Sequence, residues 1–72
     1  MGRQRVLSGE EACAVLERHG FARIRQRGSH VVLQRVVANR TTTVVVPMHR
    51  ELRAGTLSSV VRQSGLPRKA FE

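Results

Sequence analysis

The sequence contains no aspartate, no tryptophan and no tyrosine, and it has a single cysteine. Each absence removes a class of function. With glutamate as the only carboxylate side chain, the chain lacks the carboxylate cluster of a two-metal nuclease. One cysteine allows no internal disulfide and no thiolate metal site, which fits a reducing compartment. Phe21 and Phe71 are the only residues among Phe, Tyr and Trp, so the chain can hardly stack bases except on arginine planes. No apolar run is long enough to cross a bilayer, and the first twenty residues lack a signal-peptide segment. The expectation is a cytoplasmic protein with no membrane partner. At 72 residues, one domain with an economical core is expected.

Positive charge is abundant. Lys+Arg is 13 against an Asp+Glu total of 5, a net charge of +8. Nearly all of it is arginine. Between Arg18 and Arg50 no acidic residue interrupts Arg23, Arg25, Arg27, Arg35 and Arg40. Guanidinium groups fit phosphate oxygens in pairs and are weakly hydrated. A polyanion partner follows, nucleic acid before anionic membrane. Without aromatics, its contacts should fall on phosphates, sugars and shape. A solvated basic surface is the plainer alternative.

Along the chain, residues 1–7 form a basic lead-in, where Arg3 and Arg5 could touch a polyanion. Ser8 with Glu11 has the spacing of a capping box, and two glutamates suit the start of a helix. Ala12, Val15, Leu16 and His19 follow a helical face, and Gly20 is placed to end it as a left-handed residue, giving a helix over 9–19. Cys13 reads as a small core residue and His19 as a structural one at the helix end.

Residues 21–25 alternate as a strand, with Ala22 and Ile24 on one side and Arg23 and Arg25 on the other. Gln26 to Ser29 make a turn. His30 to Val36 form a β-branched strand with Val31, Leu33 and Arg35 opposite His30, Val32 and Gln34. A loop over 37–41 leads to a third strand, Thr42 to Val46, closed by Pro47. A loop carrying His49 and Arg50 follows. Thr56 is the expected N-cap of a second helix, with Leu57, Val60, Val61 and Ser64 on its face and Gly65 at its end.

The order is α-β-β-β-α. Short connections imply an antiparallel meander. Two amphipathic helices and one sheet are most compactly packed with both helices on one sheet face. The expected class is α+β, and the element order resembles that of double-stranded-RNA-binding domains.

The stretch with most chemical promise is Arg25-Gln26-Arg27-Gly28-Ser29-His30. A glycine turn delivers a histidine to a strand start amid arginines. From the residues alone, His30 is either an acid/base group or an imidazole paired with backbone at a strand edge. Arg25 and Arg27 are the best candidate phosphate clamps. Arg23, Arg35 and Arg40 are weaker ones. Gly28 supplies backbone freedom for the turn or for approach to a phosphate. Ser29 either donates to phosphate or shapes the turn. His49 is a second candidate phosphate contact or partner acid. No spacing marks the three histidines as metal ligands, and no cofactor is expected.

That stretch, taken with Gly20-Phe21, Val46-Pro47-Met48-His49, Gly55-Thr56-Leu57 and Arg62-Gln63-Ser64-Gly65-Leu66, resembles the HicA (YcfA-like) toxin family over nearly the whole chain. The resemblance implies a double-stranded-RNA-binding-like fold and ribosome-independent cleavage of messenger RNA. It implies a HicB antitoxin as partner, and it places the family's catalytic histidine at His30. The chemistry suits the inventory. RNA carries its own nucleophile, the 2′-hydroxyl, so a histidine and arginines suffice without a metal.

Overall fold

The computed structural model describes residues 6–72; Arg3 and Arg5 lie outside the described residues. Helix α1 spans Gly9–Arg18, strand β1 Ala22–Arg27, β2 His30–Val37, β3 Arg40–Pro47 and helix α2 Ala54–Ser64. A short 3-10 helix, Arg68–Phe71, ends the chain. The three strands form one antiparallel sheet in the order β1-β2-β3. The expected α+β arrangement, a three-stranded sheet with α-β-β-β-α order, is what the chain adopts.

Helix α1 starts where its capping signal lies. Ser8 Oγ accepts from the Glu11 N–H at 3.0 Å, and Glu11 Oε1 accepts from the Ser8 N–H at 2.9 Å. It ends in a Schellman motif. The Gly20 N–H donates to the Glu17 carbonyl and the Phe21 N–H to the Leu16 carbonyl, with Gly20 at φ +92°. Gly20 is thus the left-handed stop, and the motif turns Phe21 inward, where it is buried. His19 lies at that end with Nδ1 2.9 Å from the Val15 carbonyl, a structural contact within its own helix.

One face of the sheet carries the core. Val31 and Leu33 of β2 pair with Val46 and Val44 of β3, and all four are buried. Leu7, Ala12, Val15 and Leu16 from the α1 side join Leu57 and Val60 of α2 and Phe71 in the same cluster. Both helices therefore cover one face. The Val45 N–H on the outer edge of β3 donates to Gln63 Oε1 of α2 at 3.1 Å, so α2 also closes that edge. Strand β1 is the other edge, and every one of its residues is exposed.

Three expectations need correction. Helix α2 begins at Ala54 with Arg53 as N-cap and no side-chain cap, not at Thr56. Arg53 is extended at φ −67°, ψ 155°, and its carbonyl already accepts the Leu57 N–H at 2.9 Å, so Thr56 falls inside the first turn. The loop expected over residues 37–41 is only Ala38-Asn39. Both residues have positive φ, 51° and 65°, as a type I′ turn requires, and that turn matches the twist of the flanking strands. Pairing therefore extends to Val37 with Arg40.

The third correction concerns β1. Its register against β2 shifts between Arg23 and Arg25, with Ile24 as the extra residue. Arg23 pairs with Leu33 on the helix side, whereas Arg25 pairs with Val32 on the open side. A regular strand would have kept Arg23 and Arg25 on one face; the bulge separates them. Arg23 then meets α1. It bonds Glu10 Oε2 at 2.6 Å and Glu17 Oε2 at 3.1 Å.

The helix side is fixed to the strand ends by a backbone junction. The Gly9 N–H donates to the His49 carbonyl at 2.8 Å, the Leu52 N–H to the Leu7 carbonyl at 2.7 Å, and the Met48 N–H to the Ser29 carbonyl at 2.6 Å. Gly9 is required by this approach. A Cβ there would collide with the Pro47 carbonyl oxygen and lie 2.8 Å from Met48 Cα. Both are backbone and cannot swing away.

Three outcomes are expected. Gly9→Ala should lower stability by about 1–3 kcal/mol or more in chemical denaturation, because backbone must move to admit one methyl. Ala38→Gly should act in the opposite sense, raising stability by about 0.5–1 kcal/mol, since a Cβ in the left-handed region is strained and glycine relieves it less its own chain entropy. The third concerns acid. Hydrogen bonding to Arg23, reinforced by its charge, holds the Glu10 carboxyl below the ordinary value of 4.5. A depressed carboxyl stabilises the fold above its unfolded value, and this is lost as pH falls through the folded value. Melting temperature should therefore drop on acidification below about pH 4.5, and Glu10→Gln should flatten that part of the profile.

Candidate functional site

The hairpin between β1 and β2, like that between β2 and β3, is a two-residue connection. Arg27 pairs with His30, leaving Gly28 and Ser29 as the turn. Gly28 has φ +56° and Ser29 is not in the positive region, the pattern of a type II′ turn with glycine at its first central position. A Cβ on Gly28 would meet nothing within 4 Å. The glycine thus serves the backbone conformation, not a close approach to another part of the protein. Gln26 Nε2 braces the turn by donating to the Gly28 carbonyl at 3.1 Å. On the other side, the Met48 N–H holds the Ser29 carbonyl. The turn is thus fastened from both flanks.

This places His30 as the first residue of β2, paired with Arg27 on one side and Pro47 on the other. Directly paired residues point to the same face of a sheet. Val31 and Leu33 are buried beneath the helices, so His30 and Val32 face the uncovered side. Arg27, opposite His30, and Arg25, opposite Val32, share that side. His30 is exposed, and its ring makes no hydrogen bond among the described residues. Arg25 and Arg27 are likewise exposed and form no ion pair there. Among the described residues, no backbone group is bonded to the His30 imidazole, the plainer alternative at a strand edge.

Chemically this is an accessible imidazole beside two guanidinium groups that form no ion pair among the described residues, all on paired strands. An imidazole nitrogen can accept a proton or donate one. Guanidinium forks can hold the oxygens of a phosphate. The turn adds the exposed Gly28 and Ser29 beside them.

The other candidates divide. His49 is exposed and lies at the same end of the sheet, one residue after Met48, with its carbonyl held by Gly9. Arg23 is on the opposite face, held by Glu10 and Glu17, and is not brought together with His30. Arg35 is also engaged elsewhere. Its guanidinium carbon is 4.8 Å from the Phe21 ring centre, and Nη1 donates to the His19 carbonyl at 3.1 Å. Arg40 lies next to the far turn, at the other end of β3 from Pro47. Among the described residues, no three His, Cys or Glu side chains come together as metal ligands would. Cys13 is buried with its sulfur 3.9 Å from Met48 Sδ. Burial raises its thiol pKa, which keeps it protonated and unreactive.

Sequence reasoning singled out His30, Arg25 and Arg27, which the structure brings onto one face, but it drew the turn over Gln26 to Ser29, where pairing as far as Arg27 with His30 leaves only Gly28 and Ser29. It missed two things that shape the site. The bulge at Ile24 decides which arginines face His30, and nothing in an alternating pattern signals it. The Met48–Ser29 bond is backbone to backbone, so no side chain marks it.

Comparison with known proteins adds one finding. A family model described as the HicA toxin of bacterial toxin-antitoxin systems matches residues 9–66. No curated protein matches the chain.

Proposed function

The chain belongs to the HicA toxin family, and we propose that it is an endoribonuclease that cleaves messenger RNA at His30 without a metal. Membership makes it the toxin of a toxin–antitoxin system, a family whose members are generally ribonucleases. The observation that carries the finer reading is the row on the open sheet face. An exposed His30 stands opposite Arg27, with Arg25 on the next rung.

In this reading the 2′-hydroxyl of the substrate attacks the adjacent phosphorus, and the bond to the 5′-oxygen breaks. His30 acts as the general acid/base, removing the 2′-proton and supplying one to the leaving oxygen. Arg25 and Arg27 hold the non-bridging oxygens as charge builds on the phosphorane. The Gly28-Ser29 turn and His49 contact neighbouring phosphates. Arg23 contributes by locking β1 to α1, which keeps Arg25 and Arg27 on the other face. No residue here is asked to hold a cofactor.

The protein partner is an antitoxin, and a HicB-like one is proposed. Occlusion is the simplest inhibition, with an acidic surface covering His30 and the arginine pair. A complex in which His30 stays open would refute it. No described helix is long and apolar enough to cross a membrane, and the proposed place of action is the cytoplasm, where messenger RNA is found.

The decisive assay is cleavage of a long RNA in the presence of chelator. Wild type should cut, and His30→Ala should lose about 10²–10⁴-fold in rate while circular dichroism shows it folded. Arg25→Ala and Arg27→Ala should each weaken RNA binding and reduce the slope of log affinity against log salt by about 0.7. Cleavage retained by His30→Ala would overturn the assignment. Binding without any cleavage by wild type would make the chain a non-catalytic RNA-binding module.

A further inference from the structure

The open face of the sheet continues beyond His30 in well-defined rungs. After Arg27–His30–Pro47 and Arg25–Val32–Val45 comes Ala22–Gln34–Thr43, and then Val36 with Thr41. On the third rung, Gln34 Nε2 donates to Thr43 Oγ1 at 3.1 Å. We infer that this face receives single-stranded RNA and that the Gln34–Thr43 pair reads a base of that strand beyond the cut. The inference rests on the nuclease reading for what is bound, and it adds the path and the base contact.

The pair is suited to the task. Its internal bond orients the Gln34 amide and spends one of its donors. No other hydrogen bond among the described residues takes up the Gln34 carbonyl oxygen, its second N–H or the Thr43 hydroxyl hydrogen, and Gln34 is half-exposed and Thr43 exposed. Donors and acceptors side by side are what a base edge presents, and glutamine is a known reader of such edges. Because the side chains are already held, less freedom is lost on binding. Ala22, the third member of the rung, is too short to cover them.

The surroundings favour a base over water alone. Val36 and Val45 on the adjacent rungs are 66% and 39% exposed. Valines on an uncovered sheet face, where polar residues are usual, offer apolar contact to sugar and base. Phe21 and Phe71 are buried, so neither phenyl ring can stack a base on this face, and stacking on an imidazole or a guanidinium plane tolerates any base. Any discrimination has to come through hydrogen bonds.

Charge complementarity places the phosphates at one end of the face. Phosphates are held at the Arg25 and Arg27 end, and Gln34 is four residues along β2 from His30, about 13 Å. The base read is therefore one further along the strand, not the one at the cut. A duplex suits this pair less well. The deep, narrow major groove of A-form RNA is closed to side chains, and its wide minor groove is recognised mainly by shape and by 2′-hydroxyl and phosphate contacts, whereas base-specific reading falls on single strands. A stacked duplex also keeps the 2′-oxygen out of line with the bond to be broken.

The test has two arms. Cleavage sites on a long RNA are mapped for wild type, Gln34→Leu and Thr43→Val, with circular dichroism on each. Wild type should prefer one base at a fixed offset from the cut. Each variant should still cut, with that preference reduced about tenfold or more. In the second arm, a randomised single-stranded RNA pool is selected on His30→Ala and on His30→Ala/Gln34→Leu, with a duplex hairpin as competitor. The first should enrich one base, the second should not, and the hairpin should compete poorly. An unchanged base pattern in folded variants, or a hairpin that outcompetes single strands, overturns the inference. Failure of wild type to cut would instead remove the nuclease reading, and the binding arm would still decide the base contact.

Discussion

Much of this small structure depends on one close approach of backbone to backbone. The first turn of α1 is pressed against the end of β3 at Pro47 and Met48, and only a residue without a side chain fits at Gly9. Three main-chain bonds gather there, joining the segment before α1, the loop after β3 and the turn before β2. Main-chain bonds of this kind are shorter-ranged and more directional than apolar contact. They give the His30 turn a fixed position that a core of valines and leucines alone would leave loosely specified. The site is built on the side of the junction that the helices do not cover, so the strand ends hold it without burying it.

The second organising feature is the sorting of charge. A chain with this excess of arginine gains a directed field only if some guanidinium groups are neutralised and others left free. The Ile24 bulge does this within three residues. Arg23 is spent on Glu10 and Glu17 in a structural clip, while Arg25 and Arg27 remain available beside His30. Arg35 is occupied by Phe21 and the end of α1. The two arginines of β1 that stay out of these contacts, Arg25 and Arg27, lie together at one end of the open face.

Much of this was legible in the sequence, and for identifiable reasons. The capping box at Ser8 and Glu11, the glycine at 20 and the alternation of Val31 and Leu33 are local signals. Each rests on contacts within a few residues, or on a burial period that the fold respects. They place α1, β2 and the buried face correctly. The failures are non-local. An N-cap at Thr56 was a reasonable reading of composition, but the entry to α2 is set by the Leu52–Leu7 pairing. A five-residue loop shrank to Ala38-Asn39 because strand pairing gained two more rungs at the cost of an alanine in a left-handed conformation. The bulge depends on how β1 must twist to meet α1, which no single-strand pattern encodes. The candidate histidine was visible as a residue beside a glycine turn. Its company was not, because a one-residue slip in β1 decides which arginines it has.

Strand β1 is also a sheet edge, all of its residues exposed and with no further strand paired to it among the described residues. Such edges invite a second copy to add itself as a fourth strand. Here an antiparallel copy of the segment Arg23-Ile24-Arg25-Gln26-Arg27 would bring guanidinium groups opposite one another, and like charges facing across a ladder are repelled. The extra residue at Ile24 further spoils the register a visitor needs. The arginines that give the face its appetite for polyanions therefore also keep the protein from polymerising through its own edge. That protection is electrostatic, so it is weakest where the charge is screened or neutralised. High salt, or a dense coat of phosphate, is where self-association of this chain should first be sought.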